Sequence, residues 1–381
     1  MLTLYSQHVA RKDMKRRSLF FLLLTFVFRA QAGELFGYNI SPRAHGMGGV
    51  TSLFPRPTEA TFVNPAALSK VEQLGWEIAD VSGGYNGQAA YTAFSALGAG
   101  GTAAYNGVYG KKIWVGANGY SSMVFPNFSF ALFDNIKVNG ELNKPPFPDF
   151  DMAYLNDSGF QASVGFDIDS VFSWGATLKR ITRTGGEMSL GLSTIAAASA
   201  NTIQNQFSSA GTGWSSDLAL MARGDGPFSP RMVAMWKDPG SLEFVLSNGT
   251  INPPRIRDNF ILGVGTLLNA PGLDWSTGLE FQHISETGIQ LGKKVHMGTE
   301  VSLPLVDLRA GAGQGYQSYG AGINLFFIKV DAAYYTVEKG DYPGQTPDLR
   351  YEVSFSINIA VDADFKETGK DGKRRRLKQR R

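Results

Sequence analysis

Residues 351–365 read YEVSFSINIAVDADF. The odd positions Tyr351, Val353, Phe355, Ile357, Ile359, Val361, Ala363 and Phe365 are apolar or aromatic, and the even positions are polar or small. A period of two without a slip describes a β-strand with one apolar and one wet face. Strands in soluble domains run to about 5–6 residues, whereas a strand crossing a bilayer takes about 9–11. Fifteen alternating residues supply a full crossing and both rims. The odd face is therefore expected to meet lipid, with Tyr351 and Phe365 near the two interfaces. The even face, Glu352 to Asp364, is expected to meet the lumen, and the strand to close a barrel against the first one.

The second half of the chain repeats this pattern. In 273–284 Trp275, Thr277, Leu279 and Phe281 alternate with Asp274, Ser276, Gly278 and Glu280; in 293–303 Val295, Met297, Thr299 and Val301 alternate with Lys294, His296, Gly298 and Glu300. In 328–337 Ile328, Val330, Ala332 and Tyr334 oppose Lys329, Asp331, Ala333 and Tyr335, and 159–168, 171–180 and 258–268 behave alike. Small residues and glycines recur on the polar face, which suits an interior that holds a plug or leaves a passage. Tyr334, Tyr351, Trp275 and Phe365 read as membrane-interface aromatics.

Connection lengths point the same way. Residues 326–329, 303–306, 269–273 and 167–170 are tight turns, while 338–350, 284–294 and 237–258 are long, and 134–152 and 182–213 are read as the largest loops. Short turns at one end and long loops at the other are the habit of outer-membrane barrels. The fold class expected is all-β: a transmembrane antiparallel β-barrel of about 14 strands with an N-terminal hatch. Residues 76–134 resist parsing into three or four strands, and Pro126 suggests a bulge or kink within 121–134.

Composition agrees. With 45 glycines, 18% charged residues and no cysteine, the chain fits a large exported β-protein without disulfides or thiolate sites. Residues 1–32 have the layout of a signal peptide: a basic start at 11–17, an apolar core at 18–28 and Ala30-Gln31-Ala32 as cleavage site. Formal charge divides into about +5 for 1–32, about −9 for 33–365 and about +7 for the tail 366–381. The expected organisation is signal peptide 1–32, hatch 33–75, barrel 76–365 and a basic periplasmic tail 366–381. That tail is either a solvated extension or an electrostatic contact to anionic cell-wall or lipid groups. Nucleic acid does not fit the compartment.

Residues 33–75 differ from the rest. They carry glycine and proline punctuation and short apolar pieces without alternation, and are read as a plug inside the barrel or, alternatively, as one more barrel strand. Within them SPRAHGMGGV (41–50) and ATFVNPAALSKV (60–71) resemble the N-terminal signature of FadL-type outer-membrane transporters, and more closely that of their PorV-like and spirochaetal FadL-like relatives. Arg43, Ala44, Gly46, Met47, Gly48 and Gly49 match the first block; Asn64, Pro65, Ala66 and Leu68 match the second. Residues 216–240, 251–265 and 329–357 resemble later parts of the same relatives. The resemblance implies an outer-membrane channel, plugged by its N-terminus, that takes up long-chain fatty acids or other hydrophobic small molecules. PorV-like members instead act as accessories for secreted proteins, which is the alternative function.

Site expectations follow. Gly46, Gly48 and Gly49 permit tight bends, and Asn64-Pro65 favours the start of a short helix. Arg43 needs an acidic partner in the wall, because an unpaired buried charge is costly. Glu280, Glu300, Asp331 and Glu352 on the polar faces are the candidates, whether they serve a mechanism or only hold the plug. Leu190, Leu192, Ile195 and Phe207 in an outer loop are read as an apolar capture groove, or as a loop packing on itself. Membrane lipid and a hydrophobic ligand are the expected partners. His45, His283 and His296 have no metal-ligand spacing, and no nucleophile or phosphate motif is present; neither enzyme chemistry nor a cofactor is expected.

Overall fold

The computed structural model describes residues 34, 41–87, 110–142, 149–191 and 207–361. Residues 1–32, the tail 366–381, Phe365 and the 88–110 portion assigned above to strands lie outside them, apart from Gly110.

Alternation becomes a wall of antiparallel strands: β1 (Leu74–Tyr85), β2 (Lys112–Phe125), β3 (Phe128–Leu142), β4 (Asp149–Asp167), β5 (Phe172–Gly191), β6 (Ala210–Arg223), β7 (Phe228–Lys237), β8 (Val245–Asn248), β9 (Asn259–Ala270), β10 (Leu273–Phe281), β11 (Val295–Ser302), β12 (Val306–Gly313), β13 (Tyr316–Leu325), β14 (Ile328–Glu338) and β15 (Pro347–Val361). Every strand but β8 pairs with its sequence neighbour in the ring, β7 with β9, and β15 closes on β1 through Leu74↔Val361 to Tyr85↔Tyr351. The barrel therefore has 14 strands, and β8 is a short extra strand on the edge of β6.

The faces divide as the period requires. On β15 Tyr351, Val353, Phe355 and Ile359 are exposed while Glu352, Ser354 and Ser356 are buried. The exposed apolar band runs round the barrel and ends in aromatic rims. Tyr85, Tyr351, Tyr334 and Tyr319 stand side by side with ring centroids 5.3–6.3 Å apart. Trp76, Phe128, Phe166, Trp174 and Trp275 mark the opposite rim. Trp76 and Tyr85 are nine residues apart on β1; at about 3.3 Å per residue and a tilt near 40° that is about 23 Å, close to the apolar height of a membrane barrel.

Three sequence expectations need correction. Pro126 is not a kink within a strand: Pro126 and Asn127 (φ 67°) form the two-residue turn between β2 and β3. Residues 134–152 are not mainly loop, since β3 and β4, of 15 and 19 residues, absorb most of them, and the 20-residue β5 continues into 182–213 as far as Gly191. Beyond the bilayer a strand has no lipid to face, so its outer face turns polar and the signal vanishes although the ladder continues. By contrast β11 and β12 have eight residues each. The segment 237–258 is not one open loop either: it turns inward at Leu242, runs along β6 as β8, and comes back to pair Ile256 with Leu242.

Residues 41–71 lie inside the ring. They form the short helix α1 (Pro42–Gly46), a 3-10 turn Pro57–Glu59, the single helical turn α2 (Ala60–Val63) and a 3-10 turn Pro65–Lys70. Ser41 caps α1, and the Asn64 side chain accepts from Ala66 N while donating to Ser52 O. The protein's apolar core is the seam between this segment and the wall. Met47, Val50, Leu53, Phe54 and Ala66 pack on Ala219, Met221, Val233, Met235 and Ile261. Phe62 and Val63 pack on Tyr120, Phe133, Ile181 and the inward Leu242, Phe244 and Ile256.

Candidate functional site

The wall receives the inner segment through missing side chains. A Cβ on Gly298 would lie 2.1 Å from Met47 O, one on Gly311 2.4 Å from Gly48 N, and one on Gly313 2.1 Å from Gly48 O. Gly165 and Gly175 do the same for Pro65 and Ala66, at 2.3 and 2.4 Å. Gly48 (φ 69°) and Gly49 (φ 92°) occupy the left-handed region, so the bend that fits this groove is open to glycine alone without strain. Met47 is buried beside them and Gly46 abuts Gly320.

Polar groups fix the register. Arg43 binds Glu300 with both ends of its fork, at 2.8 and 2.7 Å, and donates to Phe54 O at 2.8 Å. Arg309 Nε donates to Glu300 Oε2, which Arg43 also holds, at 2.6 Å, and its fork reaches Asp331 and Asp307, at 2.7 and 2.8 Å. Arg56 joins Asp331 at 2.9 Å, and Lys329 lies 3.3 Å from Asp307. With Glu59 beside Arg43, this network sets four cations against four anions. Burial opposes charge on Arg43 and Arg56, but the facing Glu300 and Asp331 outweigh it and hold both above their ordinary range. Glu280 accepts from Thr51 N, Ser52 N, Ser52 Oγ and Leu53 N at 2.7–3.2 Å. Glu352 accepts from His45 Nδ1 at 2.6 Å, and the His45 ring stacks on Tyr335 at 4.0 Å. Each of the four wall carboxylates singled out in the sequence therefore touches the inner segment. Arg309, which ties three of the acids together, carried no sequence signal beyond its place on a polar face.

Above the segment, toward the long-loop end, lies a cavity of about 170 Å³. His45, Gly48, Gly49, Thr51 and Val63 of the inner segment line it, with apolar groups from Trp114, Ile256, Ile261 and Tyr335, cations from Lys137, Lys237 and Arg257, and acids from Asp238 and Glu352. His283 and His296 complete the convergence of three histidines that sequence spacing could not reveal. His296 Nδ1 lies 2.7 Å from Gly48 O, and burial lowers His283 to about 4, so its ring is neutral at pH 7. Among the described residues no group of three His, Asp or Glu is placed to hold a metal. Glu34 also lines the cavity and grips Arg350 with two bonds of 2.8 Å, and that guanidinium lies 4.3 Å over Trp114. Burial would raise the Glu34 carboxyl, but Arg350 draws it down to about 2.

Of the mouth residues named in the sequence, Leu192 and Ile195 lie outside the described residues, as does the Leu190 side chain. Phe207 is half-buried and meets Tyr154 edge-on at 6.4 Å. The capture-groove expectation therefore falls largely outside the described residues.

No protein-family model matches the chain, and no curated protein does. Among solved structures the chain is similar to the deltaS2S3 mutant of the monoaromatic hydrocarbon channel TodX, with TM-score 0.49, 11% identity, and 84% and 98% of the two chains covered. It is similar to the Pseudomonas putida toluene transporter TodX, with TM-score 0.45, 12% identity and coverage of 87% and 99%. A Pseudomonas aeruginosa FadL homologue is similar at TM-score 0.36 and 14% identity, with 87% and 100% covered. These are low-identity likenesses in the course of the chain.

Proposed function

We propose that this chain is an outer-membrane channel for the uptake of hydrophobic small molecules, with residues 33–75 as its hatch. The observation that carries the reading is a cavity inside a lipid-facing barrel whose floor is a separately anchored piece of chain. Long loops then face outward and short turns inward, which is the usual orientation of such barrels, and residues 1–32 serve as an export signal. The tail 366–381 follows β15 into the periplasm, where its charge suits anionic cell-wall groups.

The lining suits an apolar body with an anionic end, as in a long-chain fatty acid. Trp114, Ile256 and Ile261 in the lining suit the apolar body, and Lys137, Lys237 and Arg257, which share the lining with Asp238 and Glu352, suit the anionic end. Pockets that enclose drug-sized ligands hold about 300–1,000 Å³, so at about 170 Å³ this cavity admits a long acyl chain only when its floor yields. Binding and gating are thereby one event.

The test is uptake of radiolabelled oleate by host cells lacking their own fatty-acid channel. Cells making the protein are expected to accumulate label severalfold faster, and cells making a chain without 33–75 are expected to leak small solutes. Unchanged permeation after that deletion would remove the gating role. Co-purification of a stoichiometric secreted protein, with no oleate uptake, would move the chain to the accessory class of PorV-like proteins.

A further inference from the structure

Among the described residues, two guanidiniums at the short-turn end of the lumen have no carboxylate within ion-pair distance, Asp167 acting on Arg223 only from farther away. Arg223, the last residue of β6, stands directly opposite Arg231 of β7. Both occupy inward positions, alternating with the exposed Leu220 and Met232. Arg43, Arg56, Arg183, Arg309 and Arg350 inside the barrel each hold a carboxylate within 4.0 Å. Neither Arg223 nor Arg231 does so among the described residues, and Asp167 on the same rim is taken by Lys70 and Ser173, each at 2.8 Å.

Their existing contacts are weak or partial. Arg223 Nε reaches only the thioether of Met221, at 3.4 Å. Arg231 donates from Nη1 to Leu53 O at 3.1 Å and lies 5.2 Å over the Phe54 ring, while its Nε has no partner. Each fork carries five N–H donors, and the described residues supply one hydrogen-bond acceptor to each. Like charges directly opposite across two strands repel, and half-buried cations without an anion are costly. Facing forks of this kind suit a carboxylate or a phosphate, which accept two parallel bonds from one guanidinium.

We propose that Arg223 and Arg231 form an anion-binding site beneath the inner segment, at the short-turn mouth of the lumen, for the carboxylate or phosphate group of a small ligand. Because Arg231 also holds Leu53 O and Phe54, an anion there competes directly with an anchor of the segment. Binding itself is independent of uptake; only its meaning as the last station before release rests on the transport reading.

The experiment is calorimetric titration of purified protein in nonionic detergent at low salt, with sodium octanoate in one arm and inorganic phosphate in the other. Saturable binding is expected in at least one arm, and the arm identifies the anion. Arg223→Gln/Arg231→Gln should weaken it at least tenfold, and Arg231→Lys less than that. Heat-dependent gel mobility checks that the variants are folded barrels. Should the double variant fail that check, Arg223→Gln alone, which leaves the Leu53 contact in place, should still weaken binding severalfold. The proposal is overturned when neither anion binds the wild type, or when octanoate binding survives in the double variant and is lost in Lys137→Met/Lys237→Met. Absence of oleate uptake with arginine-dependent binding intact would sink the transport reading and leave this site standing.

Discussion

Arg43 shows why a buried charge network resists piecemeal change. Its fork, Glu300 and Phe54 O are mutually satisfied, so Arg43→Ala leaves the buried Glu300 with Arg309 alone and Phe54 O without its donor. Breaking one partner of a buried pair costs about 3–5 kcal/mol. The expected outcome is faster hydrogen exchange across 42–56 and increased entry of small polar solutes, with the barrel itself intact by gel mobility. Arg43→Met/Glu300→Leu should lose much less than the two single changes summed. Glu34 gives a pH test with a definite sign. Its carboxyl is drawn from an ordinary 4.5 to about 2 by Arg350, so its contribution is complete above about pH 4.5 and is lost as pH falls through 2. Exchange protection near residue 34 should fade over that window in the wild type and be weak at every pH in Glu34→Gln. The need of Arg43 for an acid was legible in the sequence, because a charge inside a barrel requires one. The capping of Thr51, Ser52 and Leu53 by Glu280 was not, since backbone N–H groups leave no mark on composition.

At the level of elements, glycine blocks on opposite sides of one interface answer each other. Gly48 and Gly49 bend the segment, and Gly298, Gly311 and Gly313 make room for the bend. Gly298→Val is expected to displace α1 and raise permeation, because its Cβ would meet the Met47 carbonyl. Gly288→Ala, at a position with open space around it, should leave permeation unchanged. The two N-terminal blocks and the small residues on the polar faces were both visible in the sequence; which would meet was not, because contact between residues about 250 apart has no local signature. The same limit hid the convergence of His45, His283 and His296. Strand ends failed for another reason: the polar continuations of β3, β4 and β5 read as loops because alternation reports the solvents on the two faces, and there both are water.

For the whole molecule, the lipid-facing band sets how the barrel tolerates charge. Phe355 lies midway between Tyr351 at one rim and Ile359 toward the other, and all three are exposed. Phe355→Arg should destabilise the barrel by about 2–4 kcal/mol and Tyr351→Arg by about 0–1, following depth in the bilayer. Denaturant unfolding in liposomes measures the difference; equal penalties would contradict the placement of the band.

The unequal strands also decide what the protein presents to its surroundings. β4 and β5 have 19 and 20 residues and β11 and β12 eight each. At about 3.3 Å per residue and a tilt near 40°, the first pair rises about 50 Å and the second about 20 Å, against a bilayer band of about 25 Å. The strand wall is thus cut on the slant, tall along β4 and β5 and low along β11 and β12. On the proposed uptake reading, a hydrophobic molecule held in the membrane would meet the short side of the wall first, without dissolving in water.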